Sequence, residues 1–204
     1  MAPRYEPKDA AYRAASIAGF RSRAALKLRE LDAKFGLLRP GARVLDLGCW
    51  PGGWLQVAAR AVGPGGLVVG VDREPVEALD FDNVKTIVAD VSSQEALRAV
   101  EALLTKPVHV VLSDLAPKLT GVRDVDRARH AALCECVIVY CERFLDSGGR
   151  CLVKLFSDSE ADITELLRAR FAKVSKHRPG TTRKGSSEIY AVASGYARPT
   201  SSGC

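Results

Sequence analysis

The chain has 204 residues, of which 47% are hydrophobic and 26% charged, so it can bury the core of one domain without staples. No run approaches the roughly 18 apolar residues of a membrane-spanning helix, and the polar N-terminus lacks the apolar core of a signal peptide. Composition therefore excludes a membrane protein. We expect a cytoplasmic protein, or one of an organelle matrix if a leader was removed.

The net charge of +6 is distributed unevenly along the chain. Residues 1–43 carry 10 Lys and Arg against 4 Asp and Glu, residues 44–167 carry 12 against 19, and residues 168–204 carry 8 against 1. Two basic ends around an acidic middle favour a polyanionic partner that the ends bind. A solvated basic surface without a partner is the alternative.

The predicted elements begin with a basic amphipathic helix over Phe20–Phe35. Apolar runs without strict alternation then alternate with helical segments, a pattern typical of strands covered on both faces. The predicted strands are Arg43–Leu47, Leu67–Asp72, Val84–Ala89, Val108–Ser113 and Arg150–Phe156. The predicted helices are Gly53–Val62, Gln94–Leu104, Val125–Phe144 and Ser159–Phe171. The last two runs, Val174–His177 and Glu188–Ala193, have no helix between them and predict an antiparallel pair.

This order predicts a single α/β domain with a doubly wound, Rossmann-like sheet that is mostly parallel and has an antiparallel C-terminal strand. We expect residues 1–42 to form a basic N-terminal extension and helix. Residues 43–194 then form the Rossmann-like core, and residues 195–204 form a disordered tail.

The turn after the first predicted strand is the most informative segment. It reads Asp46-Leu47-Gly48-Cys49-Trp50-Pro51-Gly52-Gly53-Trp54. Such a glycine-rich turn lets a ligand approach the backbone closely. It lacks the G-x-G-x-x-G pattern of dinucleotide-binding folds, and Pro51 removes an amide that could bind a pyrophosphate. The turn therefore suits the uncharged nucleoside of S-adenosylmethionine better than a diphosphate; an ordinary Pro-Gly turn is the alternative.

Acidic residues lie at or near the carboxyl ends of successive predicted strands, namely Asp46, Asp72, Asp90 and Asp114. Ligands of open α/β sheets bind at this edge. Asp72 stands where a carboxylate can accept both ribose hydroxyls of an adenosine, and Asp90 could accept a hydrogen bond from the adenine amino group. Each one alone could instead cap a helix.

Lys154 lies inside a predicted central strand and has no ready structural explanation. An ammonium buried without a partner is costly, so a functional role is favoured over snorkelling at the strand end.

The six cysteines and three histidines show no metal-ligand spacing. We expect small buried thiols in a reducing compartment, and no metal site.

With these residues assembled, the chain resembles the FtsJ-type large-subunit ribosomal RNA 2′-O-methyltransferases, a branch of the S-adenosylmethionine-dependent Rossmann-like methyltransferases. The resemblance runs from about Tyr12 to Ala193. Its motifs are Phe20-Arg21-Ser22-Arg23-Ala24-Ala25-Leu26-Lys27-Leu28, the Asp-Leu-Gly…Pro-Gly-Gly-Trp turn, Ser113-Asp114-Leu115-Ala116-Pro117, Gly149…Val153-Lys154-Leu155-Phe156 and Ser186-Ser187-Glu188-Ile189-Tyr190. Cys49-Trp50 departs from the two small residues usual there, and Leu119-Thr120-Gly121 departs from a small polar residue.

The resemblance implies roles for particular residues. The catalytic set falls on Lys27, Asp114, Lys154 and Glu188. The S-adenosyl-L-methionine contacts fall on Gly52, Trp54, Asp72, Asp90 and Asp114. Lys154 is expected to be the general base that deprotonates a ribose 2′-hydroxyl, with Asp114 orienting its amine. Lys27 and Glu188 are expected to hold the ribose and the neighbouring lysine.

The basic ends are expected to contact RNA phosphates through Arg21, Arg23, Arg183 and Lys184. The implied substrate is a uridine of large-subunit rRNA, presented on an assembled subunit to a monomeric enzyme. Three alternatives stay open: a tRNA anticodon-loop 2′-O-methyltransferase of the same family, a non-catalytic RNA-binding relative, and a nicotinamide-dependent oxidoreductase. The chain is too short for a haemolysin-like relative with an added RNA-binding domain.

Overall fold

The computed structural model describes residues 15–156, 160–182 and 188–198. Their strands are β1 (Arg43–Leu47), β2 (Leu67–Asp72), β3 (Val84–Val88), β4 (Val108–Ser113), β5 (Leu145–Phe156), β6 (Phe171–His177) and β7 (Glu188–Tyr196). The helices are α1 (Ala24–Phe35), α2 (Gly53–Val62), α3 (Gln94–Leu103), α4 (Arg123–Phe144) and α5 (Glu160–Arg168). None of the helices within these ranges is both long and apolar enough to cross a membrane.

The strands form one sheet in the order β3-β2-β1-β4-β5-β7-β6. Strands β1 to β5 pair in parallel, whereas β7 is antiparallel to both β5 and β6. This confirms the predicted doubly wound sheet and its antiparallel end. Because β1 and β4 are neighbours while β2 and β3 lie beyond β1, the strand order reverses beside β1. Ligand sites of open α/β sheets form at the carboxyl edge of such a switch point.

Helices cover both faces of the sheet, which explains the continuous apolar runs of the strands. Along β1, Leu45 and Leu47 pack into the cluster that includes residues of α3, α4 and α5. Val44 points to the other face, into the cluster that includes Leu28 of α1 and Leu55 of α2. Because successive side chains of a strand point to opposite faces of the sheet, the position of a residue along the strand determines which face its side chain lies on near the carboxyl edge.

The N-terminal helix begins later than predicted, at Ala24 instead of Phe20. The backbone N–H of Arg21 donates to Oε1 of Gln56 at 2.9 Å, and that of Phe20 donates to the carbonyl of Ala15. These bonds tie the segment to α2 and hold it outside the helix. The helix ends at Gly36, whose φ of 60° is the left-handed conformation that glycine adopts readily.

Other boundaries also differ from the predictions. Helix α4 starts two residues earlier than expected, at Arg123. Strand β5 starts at Leu145 instead of Arg150, because residues 146–149, which include Gly148 and Gly149, form an irregularity inside the strand, where the register against β4 shifts. Helix α5 ends at Arg168, and Phe171 belongs to β6.

The last strand is longer than predicted. Strand β7 continues beyond Ala193 through Gly195 to Tyr196, so it includes the first two residues of the segment that was expected to be a tail. The ring of Tyr196 is 2% exposed and packs on Phe171 with ring centroids 5.3 Å apart. Burial of this aromatic side chain extends the strand beyond the expected start of a tail.

Candidate active site

The turn between β1 and α2 depends on its glycines. Gly48 has a φ of 83°, and a Cβ there would meet Cδ2 of Leu115 at 2.7 Å. Gly52 has a φ of 107°, and its N–H closes the turn by donating to the carbonyl of Cys49 at 2.7 Å. The peptide bond between Trp50 and Pro51 is cis. The turn therefore brings backbone to the carboxyl edge of the sheet without side-chain obstruction, as the glycine pattern predicts.

A cavity of about 590 Å³ opens beside this turn, a volume typical of small-molecule sites. Its lining includes Gly48, Trp50, Asp72, Val91, Ser92 and Asp114. These residues follow β1, β2, β3 and β4, so the cavity spans the carboxyl ends of neighbouring strands. This is the edge where the sequence predicts a nucleoside site.

Asp72 is the cavity carboxylate nearest the turn. Its Oδ2 accepts the backbone N–H of Trp50 at 2.9 Å, and its Oδ1 accepts that of Glu74 at 3.0 Å. The carboxylate is thus fixed in place by two amides while it faces the cavity. A carboxylate held in this way is preorganised to accept hydroxyl groups of a ligand.

Asp90 lies just outside the cavity lining, one residue before Val91. Its carboxylate accepts the hydroxyl and the backbone N–H of Ser92, at 2.7 and 2.9 Å, and forms an ion pair with Arg73. These hydrogen bonds and the charge of Arg73 lower the pKa of Asp90. Contact between Asp90 and an adenine remains a prediction.

Gly52 and Trp54 also lie outside the lining. Gly52 is the residue before α2, packed near Arg21 and Val76. Trp54 is 3% exposed, and its Nε1 donates to the carbonyl of Ala24 at 2.8 Å. Both residues shape the turn and dock α2 on α1. The tryptophan that lines the cavity is Trp50, which sequence reasoning noted only as a departure from the family.

The structure brings together Lys27 of α1, Asp114 after β4, Lys154 of β5 and Glu188 of β7. Nζ of Lys27 lies 2.8 Å from Oε2 of Glu188. Nζ of Lys154 lies 3.1 Å from Oδ1 of Asp114 and donates to the backbone carbonyl of Asp114 at 2.6 Å. Both lysines are almost fully buried, at 4% and 6% exposure. Lys154 is therefore paired, not snorkelling to solvent.

Tyr190 joins the two ion pairs and was missed by sequence reasoning. Its hydroxyl donates to Oδ1 of Asp114 at 2.6 Å and accepts from Nζ of Lys27 at 3.4 Å. Alternation along β7 places Tyr190 on the same face as Glu188, and the register places it opposite Lys154. This two-residue spacing after Glu188 was the sequence signal that could have identified it.

The charges of this network shift the ionisation of its members. Burial favours the neutral form of Glu188, but the hydrogen bond and charge of Lys27, helped by Lys154, outweigh it, so its pKa is lowered. Burial, the charge of Asp114 and the hydrogen bond to Asp114 raise the pKa of Tyr190 well above its usual value. Glu188 is therefore a carboxylate at neutral pH, and Tyr190 keeps its proton as a hydrogen-bond donor.

Asp46 is buried beneath the turn, with no exposed surface. Neither of its carboxylate oxygens has a hydrogen-bond partner within the described part of the chain. Burial and the charges of Asp114 and Asp72 raise its pKa well above the usual value. Asp72 and Asp114 line the cavity together with the basic residues Arg73, Lys118 and Arg129, whereas Asp46 lies outside the lining.

The predicted RNA contacts are placed differently from one another. Both terminal nitrogens of the Arg21 guanidinium donate within the chain at 2.6 Å, to the carbonyls of Glu77 and Ala78. Arg21 thus joins the segment before α1 to the loop after β2. Its contact with an RNA phosphate stays a prediction. Arg23 lies near enough to Glu188 to lower its pKa. Arg183 and Lys184 lie outside the described residues.

Cysteine and histidine play no visible ligand role in the described ranges. The five cysteines there carry free thiols, four of them buried, as expected. In these ranges no three Cys, His, Asp or Glu side chains are grouped closely enough to hold a metal ion.

Solved structures share this fold. The chain matches a structure from Plasmodium falciparum, described as a ribosomal RNA methyltransferase, with a TM-score of 0.77 and 26% identity, covering 87% of this chain and 98% of that one. It also matches an S-adenosyl-L-methionine-bound fibrillarin from Aeropyrum pernix with a TM-score of 0.56 and 18% identity, covering 77% and 68%. The fold is that of the Rossmann-like methyltransferases.

Sequence comparison defines the family more narrowly. The family model for FtsJ-like methyltransferases matches residues 20–196. A ribosomal RNA large subunit methyltransferase E from Methanothrix thermoacetophila is 42% identical over 188 residues, covering 92% of this chain and 72% of the relative. A protein of the same name from Halorhodospira halophila is 43% identical over 189 residues, covering 92% and 88%. The chain belongs to the FtsJ-like methyltransferase family.

Proposed function

We propose that the protein transfers a methyl group from S-adenosyl-L-methionine to a ribose 2′-hydroxyl of large-subunit ribosomal RNA, with a uridine as the target. The observation that carries the proposal is the buried network of Lys27, Glu188, Tyr190, Asp114 and Lys154. Asp114 belongs both to this network and to the cavity lining, so it links a proton-accepting lysine to a nucleoside site.

The cavity residues fit the cofactor. Asp72 would accept its ribose hydroxyls, and the carboxyl groups of Asp72 and Asp114, which line the cavity, would favour its sulfonium and ammonium charges. Asp46 lies beneath the turn and outside the cavity lining, and burial raises its pKa, so it is not among the groups that would face the cofactor. When bound, the cofactor supplies the electrophilic methyl group.

Lys154 is the residue best placed to handle the proton. Asp114, which lines the cavity, holds its Nζ by two contacts, so the amine has a fixed position beside a cavity residue. Once its own proton has left to solvent, Lys154 accepts the proton of the 2′-hydroxyl as the new O–C bond forms and the S–C bond breaks. Much of the acceleration comes from holding the hydroxyl in line with the methyl carbon.

Lys27, Glu188 and Tyr190 position this pair. Tyr190 donates to the same Asp114 oxygen that Lys154 contacts, which orients the carboxylate. Glu188 neutralises Lys27, whose ammonium in turn supports the Tyr190 oxygen. Glu188 is the most exposed member of this trio, with 22% of its side chain accessible, and is the one able to hydrogen-bond an incoming ribose.

The RNA assignment rests on charge and on the relatives. The basic ends of the sequence supply the cations for phosphate contacts, and both curated relatives described above are named as acting on ribosomal RNA of the large subunit. Aromatic residues make up only 6% of the chain, so recognition of a pre-folded loop is favoured over reading of splayed bases. The reaction would accordingly occur where large subunits mature, which we expect to be the cytoplasm.

The test is methyl transfer from labelled cofactor to large subunits, intact ribosomes, bare ribosomal RNA and tRNA in parallel. We expect the large subunit lacking the modification to be the best substrate by at least about tenfold in initial rate, a difference of about 1.4 kcal/mol in activation free energy. Equal or faster methylation of tRNA would contradict the proposal and support the anticodon-loop alternative.

A further inference from the structure

We propose that Trp50 forms the wall of the cavity that covers the adenosine half of the cofactor, with its indole stacked on the adenine. The proposal rests on the cofactor site of the proposed function and adds a binding residue particular to this chain. In the related family two small residues usually occupy the positions of Cys49 and Trp50.

The first observation is that Trp50 is exposed where an apolar side chain gains by being covered. Its exposure is 57%, and it lines the cavity together with Asp72 and Val91. Its indole has no ring or cation partner within the described residues. A large aromatic side chain left open at a concave site is typical of a ligand contact.

The second observation is that the backbone of Trp50 is fixed. Its N–H donates to Oδ2 of Asp72 at 2.9 Å, and the Cys49–Gly52 hydrogen bond closes the turn around it. The backbone of Trp50 is therefore hydrogen-bonded to the same carboxylate that would accept the ribose hydroxyls. This attachment places it beside the nucleoside end of the site.

The strand order separates Trp50 from the methyl acceptor. The backbone N–H of Trp50 is hydrogen-bonded to Asp72 at the end of β2, whereas the ribose hydroxyl that accepts the methyl group must reach Lys154 on β5. Strands β1 and β4 lie between them, so about three strand spacings, or about 14 Å, intervene. A flipped RNA nucleotide at Lys154 is thus remote from the indole, and the cofactor adenosine is the aromatic group expected near it.

The experiment compares binding of S-adenosylmethionine, S-adenosylhomocysteine and free adenosine to the wild type, Trp50→Ala, Trp50→Phe and Val122→Ala. Val122 is a matched control because it is also 57% exposed and lies outside the cavity lining. The chain has only two tryptophans, and Trp54 is buried, so a ligand-dependent change of emission reports on Trp50.

We expect all three ligands to quench the wild-type emission. Trp50→Ala should lose about two- to thirteenfold in affinity for each ligand, by calorimetry, which is the usual range for one aromatic pair. Trp50→Phe should recover most of the loss, and Val122→Ala should bind as the wild type does. Wild-type affinity of Trp50→Ala for adenosine would overturn the proposal.

Asp72→Asn separates this failure from failure of the proposed function. If Asp72→Asn weakens binding while Trp50→Ala does not, the cofactor site stands and the stacking role is wrong. If neither substitution affects cofactor binding, the cavity is not the cofactor site and both proposals fail.

Discussion

Replacing Lys154 tests whether its side chain is a base or only a cation. Nζ contacts Oδ1 of Asp114 at 3.1 Å and the Asp114 carbonyl at 2.6 Å, acceptors that a guanidinium could also reach. Arginine keeps the positive charge but cannot lose its proton near neutral pH. We expect Lys154→Arg and Lys154→Ala both to slow methyl transfer by about 100- to 10,000-fold, the usual contribution of a general base.

Cofactor affinity and stability should respond differently from the rate. Lys154 is outside the cavity lining, so the dissociation constant of the cofactor should change by less than about threefold, under about 0.7 kcal/mol. Lys154→Ala breaks a nearly buried ion pair, which costs about 3–5 kcal/mol when the partner is left alone. Asp114 keeps its hydrogen bond from the Tyr190 hydroxyl, and its side chain is 19% exposed to water. We therefore expect the free energy of unfolding to fall by about 2 kcal/mol.

The assay is single-turnover methylation at saturating labelled cofactor and RNA, combined with calorimetry and thermal unfolding. Lys85→Arg, an exposed lysine on β3, is the matched control and should behave as the wild type. Turnover by Lys154→Arg within tenfold of the wild-type rate would refute the general-base role and leave Lys154 a positioning function alone.

The remaining predictions concern cofactor, pH, orientation and salt. Asp72→Ala should weaken cofactor binding by about 1–3 kcal/mol by calorimetry, and unchanged affinity would remove Asp72 from the site. The pKa of Glu188 is lowered in the folded state, so the unfolded state binds more protons, and the free energy of unfolding falls as the pH drops from about the usual pKa of 4.5 through the lower pKa of the folded state. Glu188→Gln should lose this part of the acid dependence in unfolding titrations, and an unchanged profile would argue against the Lys27 pairing. Tyr190→Phe should reduce the methyl-transfer rate more than cofactor affinity, and an unaltered rate would limit Tyr190 to packing. Arg23→Ala should reduce the log–log salt slope of RNA affinity by roughly 0.7–0.9, whereas a flat wild-type dependence would make the charge asymmetry incidental.

Sequence predicts the fold because its strongest signals are local. Buried strands read as continuous Val and Leu runs, and the glycines of the turn are required by left-handed conformations at Gly48 and Gly52. The placement of β7 between β5 and β6 is different. Two consecutive strands without a helix between them predict pairing with each other, but not that the later strand also pairs with β5. That pairing depends on the whole sheet.

Sequence places the site less completely than the fold. A lysine in a buried strand is conspicuous because it needs a partner, so Lys154 was identifiable from residue type, whereas Lys27 was assigned only through the family resemblance. Which tryptophan faces the cavity depends on the rotation of α2 after the turn, which buries Trp54 and leaves Trp50 open. Arg21 illustrates the same limit, since the sequence shows its charge but not the backbone carbonyls that its guanidinium contacts within the chain.

The most direct test of the central claim is the position of the transferred methyl group. Large-subunit RNA methylated with labelled cofactor would be digested to nucleosides, and the labelled product compared with 2′-O-methyluridine and base-methylated uridines. The proposed mechanism predicts label only in the ribose-methylated nucleoside, with an alkali-resistant linkage on its 3′ side, and labelling at least about 100-fold slower with Lys154→Ala. Label on a base, or unimpaired labelling by Lys154→Ala, would contradict it.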